Sequence, residues 1–281
     1  MAVSLNAAEK EIQNRTSLED VELRLLLEGI AAATGFDFRE YAPSVIKRRV
    51  HRALRAEHVA TISRLQDLVL HDHAAMGRVV RVLTERKLRL FDDPSYYRSV
   101  RTTVVPMLRT YPFARIWLPS CSDGAEAFSL AIVLFEEGIL HRCRVYATDA
   151  SGELVDQART ATIEMRVPYA KDYLDSGGRA VLNAYLSPSG GFNEEIRRSI
   201  IFAQHNIVTD AAFNSFQFVV MRRVGMQFNP MLRSRVHRVA YESLVPLGFL
   251  ALGPNEREDS PVGSSELREA DRLAGLYRRI S

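Results

Sequence analysis

The first third of the chain shows apolar residues at helical spacing. The first apolar group follows Ser17, a capping residue with Asp20 three positions later, and it consists of Leu23, Leu25, Leu26, Leu27 and Ile30. Three more helices are predicted, one from about Pro43, one at about 63–70 and one at about 74–83. Residues 17–90 are therefore predicted to form an all-helical domain that follows a flexible polar segment at 1–16.

The pattern changes after residue 90, where apolar strands begin to alternate with helices. After a helix at 96–108, a strand at 115–118 leads into the loop Pro119-Ser120-Cys121-Ser122-Asp123-Gly124, and a helix follows at 125–135. The next strand, 143–149, ends in Asp149 and precedes a helix at 152–160. Strand, loop, helix and strand in this order are typical of a doubly wound parallel sheet.

The remaining residues are assigned to an insertion, to the same sheet and to a tail. Short apolar stretches around the turn Gly190-Gly191 predict a small inserted β subdomain at about 174–205. Strands are predicted at 216–220 and 249–252, with a helix at 230–243, so that the α/β domain spans 91–256. A C-terminal helical extension is predicted at 257–281, because these residues lie on one helical face at about 264–280: Leu267, Ala270, Leu273, Leu276, Tyr277 and Ile280.

Length and composition narrow the classes of protein. A chain of 281 residues allows one large domain or two smaller ones. No apolar run predicts a membrane span, and the acidic first 20 residues do not resemble a signal peptide. Cys121 and Cys143 are the only cysteines. They are too few for a disulfide framework or a cysteine-based zinc cluster, which favours a reducing cytoplasm as the location.

The net charge of the chain says little about its function. The 37 basic residues, 33 of them arginines, oppose 34 acidic residues for a net charge of +3, and genome composition accounts for most of the arginine excess. No metal site is predicted, because His71, Asp72 and His73 are adjacent on a helix and cannot converge on one ion.

The loop at 120–124 and Asp149 carry the strongest candidate chemistry. A loop between a strand and a helix presents N–H groups to a ligand, and an acid after the next strand can bind ribose hydroxyls. With one glycine the loop is not a dinucleotide fingerprint. A nucleotide or S-adenosylmethionine site and a structural role, in which Asp149 caps the following helix, both stay open. Ser122 and Ser129 lack a nucleophile elbow, and no histidine is placed to activate Cys121.

A basic segment in the second helix, 47–55, is the other candidate site. Arg48, Arg52 and Arg55 share a helical face. Such a run is usually a solvated face, and the alternatives are a surface for nucleic acid or for an acidic protein. The absence of interleaved aromatic residues and the net charge of +3 disfavour nucleic acid.

These motifs, in this order, resemble the CheR family of chemoreceptor glutamate methyltransferases over about residues 22–256. The basic helix with Arg48, Arg49 and Arg52 lies where the family carries one. The other matching segments are Leu83-Thr84 with Phe91, Asp93 and Pro94 (family L-T-x-N-x-T-x-F-F-R-D-P), 120–131 (G-C-S-T-G-E-E-P-Y-S-L-A), 147–151 (A-T-D-I-S), His205-Asn206 with Asp210 (H-N-L-L-x-D) and 221–230 (C-R-N-V-L-I-Y-F-D-P).

The resemblance implies a fold, an activity and a set of residues. The implied fold is an α/β, Rossmann-like S-adenosylmethionine-methyltransferase sheet with an inserted β subdomain, preceded by an all-helical domain. The implied cofactor is S-adenosylmethionine, released as S-adenosylhomocysteine, and the implied partner is the cytoplasmic domain of a chemoreceptor or a related signalling protein. The resemblance implies that the cofactor is bound by Ser120, Ser122, Gly124, Glu126, Asp149 and Asn206. It implies that the partner is bound by Arg48, Arg49 and Arg52.

Several positions depart from the family pattern. Asp92 stands where the family has its reaction-centre arginine, Gln227 where it has an active-site tyrosine, and Arg223 where it has an asparagine. Arg86 and Leu88 stand where the family has an asparagine and a threonine. An acid at position 92 would repel an incoming carboxylate unless Arg89 or Arg223 compensates its charge. Arg223 would also weaken or abolish cofactor binding.

We therefore expect a CheR-like signalling protein with eroded catalytic residues and weak or absent methyl transfer. Two alternatives are kept. One is an active chemoreceptor glutamate methyltransferase, and the other is a signalling adaptor that binds a different small ligand.

Overall fold

Two compact units divide the chain, Met1–Leu83 and Thr84–Ser281. The computed structural model describes residues 18–84, 89–161, 167–187, 190–211, 215–253, 256 and 266–280. Each unit has its own hydrophobic core. Across these described ranges, no helix has both the length and the apolar character that crossing a membrane requires.

Four helices form the part of the smaller unit that the structure describes. Its helices are α1 (Leu18–Thr34), α2 (Pro43–Ala56), α3 (Ile62–His71) and α4 (His73–Thr84). Proline suits the first position of α2, because the N–H it lacks has no helical partner there. Thr61 begins α3 by accepting a hydrogen bond from Arg64 N at 3.2 Å. The all-helical fold predicted for this part of the chain is confirmed.

One mixed sheet organises the larger unit, in the strand order β3-β2-β1-β4-β5-β7-β6. The strands are β1 (Ala114–Pro119), β2 (Cys143–Asp149), β3 (Ile200–Gln204), β4 (Phe216–Met221), β5 (Leu244–Leu252), β6 (Leu267–Asp271) and β7 (Leu276–Arg279). Strands β1 to β5 pair in parallel, and β7 pairs antiparallel with β5 and β6. This α/β sheet confirms the predicted fold class. Its order reverses between β1 and β4, which is where open sheets bind ligands, at the carboxyl ends of the strands.

Helices precede the first strand of the sheet and also connect its parallel strands, which a tight turn cannot join. Helix α5 (Pro94–Ser99) continues through a π-helical turn, Val100–Val104, into α6 (Val105–Leu108). The others are α7 (Ala125–Glu136), α8 (Gly152–Arg159), α9 (Val167–Asp175), α10 (Glu194–Ser199) and α11 (Pro230–Glu242). Every residue of β4 is buried, so it reads in the sequence as an unbroken apolar run.

The C-terminal segment is a β-hairpin, so the predicted helical extension at 257–281, with its helix at about 264–280, is wrong. The turn between β6 and β7 contains Gly275 at a φ of 67°, and Leu273 in that turn is 91% exposed. Tyr277 pairs with Leu250, and Leu276 with Ala251. Pairing with β5 satisfies an otherwise open sheet edge. Helical periodicity in the sequence does not reveal the stabilisation that comes from pairing with β5. Gly275 is the residue in this stretch that indicates a turn.

The predicted β subdomain at about 174–205 is also wrong for the part of this stretch that the structure describes. The stretch holds the end of α9, a 3-10 turn at Leu182–Tyr185, α10 and one isolated bridge between Leu186 and Phe192. Its strand, β3, belongs to the main sheet, where Ile200 pairs with Val145. An apolar run indicates a strand but does not reveal which sheet the strand joins.

Candidate functional site

Three loops meet at the carboxyl ends of β1, β2 and β4, beside the switch point of the sheet. The loop after β1 is bonded to β2, since Cys121 N donates to Thr148 O at 2.7 Å. Cys121 itself is buried. The site is built from these loops and from residues 89–93, which precede α5.

The loop after β1 turns sharply, with three residues in the left-handed backbone region. Ser120, Ser122 and Gly124 have φ values of 60°, 52° and 82°, a region that residues other than glycine rarely adopt. A Cβ atom on Gly124 would lie 3.1 Å from the Cβ of Ala158 in α8. Glycine is therefore needed for the close approach of the loop to this helix. Strained backbone of this kind is concentrated at functional sites.

Asp149 binds this loop through its carboxylate at the end of β2. Its Oδ2 accepts a hydrogen bond from Ser122 N at 3.0 Å and its Oδ1 accepts one from Ser151 N at 3.0 Å, and the residue is 2% exposed. Helix α8 is capped by Ser151, whose Oγ accepts from Leu154 N at 3.3 Å. The alternative in which Asp149 is the helix cap is therefore wrong. We name Ser120, Ser122, Gly124 and Asp149 the β1–β2 corner.

The two other predicted cofactor residues have different surroundings. Glu126 is buried in the first turn of α7, with Oε1 3.6 Å from Nη1 of Arg222. Asn206 follows β3, where its Oδ1 accepts from Val208 N at 3.0 Å and its N–H donates to Asp210 Oδ2 at 2.8 Å. The N–H of Asn206 lowers the pKa of Asp210 below its ordinary value. Asn206 thus stabilises its own turn, and Glu126 belongs to a cluster of ions.

Asp92 lies between two arginine side chains. Arg223 Nη1 donates to Asp92 Oδ2 at 2.6 Å, and Arg89 Nη2 donates to Asp92 Oδ1 at 3.2 Å. Burial raises the pKa of Asp92, but the bonds and charges of Arg223 and Arg89 lower it by more, so that it lies below its ordinary value. Both arginines that the sequence suggested as compensation therefore contact the acid. We name Arg89, Asp92 and Arg223 the Asp92 clamp.

A second, buried ion pair lies beside the clamp. Arg222 is 4% exposed and donates from Nη2 to Asp93 Oδ2 at 2.5 Å. Its guanidinium carbon lies 3.9 Å from the ring centre of Tyr96, in a cation–π contact. Asp93 has a φ of 73° and also caps α5 by accepting from Tyr96 N at 3.3 Å. Because its charge is paired, Arg222 can fix residues 91–93 to the end of β4.

A small cavity lies among these charged groups. Its volume is about 10 Å³, room for about one water molecule. It is lined by Arg89, Asp92, Tyr97, Glu126, Arg222 and Arg223. Burial raises the pKa of the Tyr97 phenol, so this hydroxyl stays protonated. Three guanidinium groups against two carboxylates give the lining a positive charge, but the cavity has no space for a further carboxylate while Asp92 remains in place.

Glu256 organises the loop after β4, and sequence reasoning missed it. The residue is 1% exposed, and its Oε2 accepts from Arg223 N at 2.8 Å and from Gly253 N. Its Oε1 accepts from Met226 N at 3.1 Å. Arg223, with a φ of 58°, is thus held by its backbone as well as by its side chain. A single acid in a turn-rich stretch of sequence carries no signal for this role.

The remaining departures lie within the loop after β4 or outside the described residues. Gln227, at the position of the family tyrosine, is buried and donates from Nε2 to Val224 O at 3.4 Å. Its amide therefore contacts its own loop. Arg86 and Leu88 fall outside the residues that the structure describes.

The arginines of α2 divide between the surface and the interior of the helical unit. Arg48 and Arg55 are exposed, whereas Arg52 is half-buried and donates to a carbonyl group of α4. Arg49 is buried and donates from Nη1 to Leu83 O at 2.5 Å. The prediction that Arg49 binds a partner is therefore wrong, because its guanidinium stabilises the helical unit and is not accessible.

Two family models match the chain over most of its length. The model described as "CheR methyltransferase, all-alpha domain" matches residues 21–84, and "CheR methyltransferase, SAM binding domain" matches residues 87–271. The chain belongs to the CheR methyltransferase family. The resemblance stated from the motifs is thereby confirmed, and both of its domains are present.

The names of two relatives agree with this assignment. The chain is 36% identical over 265 residues to "Putative methyltransferase Cher3" of Pseudomonas putida, covering 92% of this chain and 97% of that one. It is 22% identical over 232 residues to "Chemotaxis protein methyltransferase" of Listeria innocua, covering 81% of this chain and 87% of that one. Among solved structures, the glycopeptide N-methyltransferase MtfA with S-adenosyl-L-methionine is 17% identical over 57% of this chain and 54% of that chain, with a TM-score of 0.36.

The β1–β2 corner fits S-adenosylmethionine in chemistry, with one constraint. It lies at the switch point, its backbone turns tightly, and a carboxylate after β2 is a suitable acceptor for ribose hydroxyls. Oδ2 and Oδ1 of Asp149 accept from the N–H groups of Ser122 and Ser151, and a carboxylate oxygen can accept from more than one donor. Because Asp149 is only 2% exposed, a ribose reaches its carboxylate only if the surface over the corner opens.

Proposed function

We propose that this CheR-family protein acts in a bacterial chemosensory or related signalling system in the cytoplasm, with weak or absent transfer of methyl groups to glutamate. The observation that carries the proposal is the bond of 2.6 Å between Arg223 Nη1 and Asp92 Oδ2. It unites two positions where the chain departs from its family. An acid and a cation replace the arginine and the asparagine there.

The reaction itself explains why this pair matters. S-adenosylmethionine supplies an electrophilic methyl group when bound, and a glutamate carboxylate attacks it without needing a general base. The protein therefore contributes mainly position and desolvation. A free guanidinium would orient the carboxylate through charge-assisted bonds. Here Arg223 and Arg89 already bind Asp92, and the adjacent cavity is about 10 Å³, so neither of these two arginines is open to a glutamate.

We expect the affinity for S-adenosylmethionine to be low. Ser122, Gly124 and Asp149 would hold the ribose end, and Glu126 would lie towards the charged end of the cofactor. Two observations favour weak binding. Asp149 is nearly inaccessible, and Glu126 lies 3.6 Å from Arg222, which competes for its charge.

An active methyltransferase is the second candidate, and one observation favours it. Three guanidinium groups against two carboxylates line the cavity beside the clamp, so its charge still attracts an acidic substrate. The signalling adaptor that binds another small ligand has no such specific support.

The proposed partner is the acidic surface of a chemoreceptor cytoplasmic domain or of a related signalling protein. Within α2, Arg48 is exposed and Arg52 is half-buried, so these two remain the proposed contacts, and exposed Arg55 extends the same face. Charged surface contacts of this kind mainly steer association and select partners.

A methyl-transfer assay with restored family residues tests the proposal. The variant Asp92→Arg/Arg223→Asn/Gln227→Tyr is compared with wild type on a receptor cytoplasmic fragment, with S-adenosylhomocysteine affinity measured by calorimetry. Since one oriented donor is worth about 100-fold in rate, we expect the variant to exceed wild type by about that factor.

The matched control is Asp156→Arg/Arg159→Asn, which alters an exposed pair at 2.8 Å on α8 in the same chemical sense. It should leave the wild-type rate unchanged. Efficient methyl transfer by wild type, at a rate that the restored variant does not exceed, would contradict the proposed function and favour the active enzyme.

A further inference from the structure

Asp92 is bound as a free carboxylate would be bound. Its two oxygens face two different guanidinium groups, with Arg223 Nη1 at 2.6 Å from Oδ2 and Arg89 Nη2 at 3.2 Å from Oδ1. Arginine suits this role because its donors match the geometry of a carboxylate. The two arginines come from separate segments, one before α5 and one after β4, so only the folded protein brings them together.

Each arginine keeps a support that does not depend on Asp92. The backbone N–H of Arg223 donates to Glu256 Oε2 at 2.8 Å, and the backbone of Arg223 has a φ of 58°, in the left-handed region. Arg89 Nη1 lies 3.6 Å from Oδ2 of Asp172 in α9. Removing the carboxylate of Asp92 therefore leaves the backbone of Arg223 in place and leaves Arg89 beside the carboxylate of Asp172.

The segment that carries Asp92 is fixed on both sides. Phe91 has a φ of 54°, and its N–H donates to Ser129 Oγ at 2.9 Å. Asp93 has a φ of 73° and accepts from buried Arg222 at 2.5 Å. Strained residues persist only where the surroundings determine them strongly. A shorter side chain at position 92 therefore leaves a space instead of a collapsed loop.

The vacated space has the size of the group that was removed. The cavity beside the clamp is about 10 Å³ with Asp92 present. Deleting a carboxylate enlarges it by one carboxylate, between the same two cations. We infer that Arg89 and Arg223 form a carboxylate-binding site that the chain fills with its own Asp92, and that the site takes a monocarboxylate, either a glutamate side chain or a small free acid, when Asp92 is removed.

The consequence for activity rests on the proposed function. Asp92 occupies the position in which a substrate glutamate would meet the two arginines, so the chain competes with its own substrate. Because Asp92 is part of the chain, its effective concentration at the clamp is far above that of any separate carboxylate.

Binding of acetate to the full-length Asp92→Ala variant tests the inference. Thermal unfolding and calorimetry are run with sodium acetate against sodium chloride at equal ionic strength, which removes general salt effects. We expect acetate to raise the Tm of Asp92→Ala in a saturable way, since a ligand that binds the folded state stabilises it. Wild type and Asp92→Asn, whose side chain still fills the clamp, should show no acetate-specific shift.

Two further variants identify the site, and a second acid identifies the source of the carboxylate. Asp92→Ala/Arg223→Gln should lose the acetate effect, and Asp172→Asn, which removes an acid near Arg89 without vacating the clamp, should not gain it. N-acetylglutamate amide presents the same carboxylate on a side chain flanked by peptide bonds. Stabilisation by both acids assigns a side-chain ligand, and stabilisation by acetate alone assigns a small free acid.

Asp92→Ser provides a second vacated clamp in case alanine lowers stability too far. No acetate effect in either variant, or an equal effect in Asp92→Ala/Arg223→Gln, would overturn the inference. The proposed function fails by a different result, namely efficient methyl transfer by wild type, so the two failures are distinguishable.

Discussion

The β1–β2 corner and the Asp92 clamp lie at the same end of one sheet but are held by different kinds of bond. In the corner, Asp149 accepts from two backbone N–H groups, those of Ser122 and Ser151. In the clamp, Asp92 accepts from two side chains. Backbone partners follow from the fold, whereas side-chain partners change with single substitutions. Asp149 in the corner matches the family motif, whereas Asp92 and Arg223 in the clamp depart from it.

This difference predicts different sensitivities to mutation. Bonds to buried backbone groups cost most when they are broken, because the N–H groups cannot find another partner. Partly exposed ion pairs cost little, because water replaces them. We therefore expect substitutions in the β1–β2 corner to lower stability more than substitutions in the Asp92 clamp.

Asp149→Ala should have the largest effect. It leaves the buried N–H groups of Ser122 and Ser151 without an acceptor, which we expect to lower the free energy of unfolding by about 3 kcal/mol. Urea denaturation measures this loss, and calorimetry should show no binding of S-adenosylhomocysteine. Asp149→Asn, which retains one acceptor oxygen, should lose about half as much. If Asp149→Ala were as stable as wild type, the bonds from Asp149 to the backbone would not be what stabilises the corner.

Glu256→Ala should be the costliest change near the clamp. It removes the acceptor for Arg223 N, Met226 N and Gly253 N, with an expected loss of about 2 kcal/mol. Glu256→Gln keeps one oxygen and should recover part of it. Chemical denaturation compares the two variants. An equal loss in both would mean that the charge, and not the acceptor geometry, holds the loop.

Gly124→Ala and Gly138→Ala form a matched pair. Both glycines have positive φ values, 82° and 69°, so both substitutions strain the backbone by about 1 kcal/mol. Only at Gly124 would the new Cβ meet a neighbour, at 3.1 Å, whereas nothing lies within 4 Å at Gly138. Thermal unfolding should show Gly124→Ala as less stable by about a further 1 kcal/mol. Equal losses would show that the corner is not tightly packed.

Asp92→Asn should have the smallest effect on stability, about 0.5 kcal/mol, because the clamp is partly exposed to water. The pKa of Asp92 lies below its ordinary value of 3.8, since Arg223 and Arg89 outweigh the effect of burial. Its contribution is therefore fully present above the unfolded-state pKa and is lost as the pH falls through the folded-state pKa.

Unfolding free energies of wild type and Asp92→Asn should thus differ constantly from neutral pH to about pH 4 and converge below it. A difference that grows on acidification would show that the arginines do not hold Asp92 ionised.

Much of the fold was predictable because its signals are local. Helices α1 to α4 and strands β1, β2 and β4 follow apolar periodicity, and the β1 loop and Asp149 follow motif order. The hairpin of β6 and β7 was not predictable in this way, because its stability comes from pairing with β5. Arg49 illustrates the same limit, since its position within a basic run says nothing about the carbonyl of Leu83 that buries it.

The candidate site divides along the same line. The sequence by itself determined the family, the strand-and-loop frame and the unusual residues at positions 92, 223 and 227, because these are properties of residue order. Only the tertiary structure decided that Asp92 meets Arg223 across 131 positions of chain, that Glu256 holds the loop after β4, and that Asn206 bonds to its own turn. Packing selects contacts between distant segments, and local sequence patterns do not encode which segments will meet.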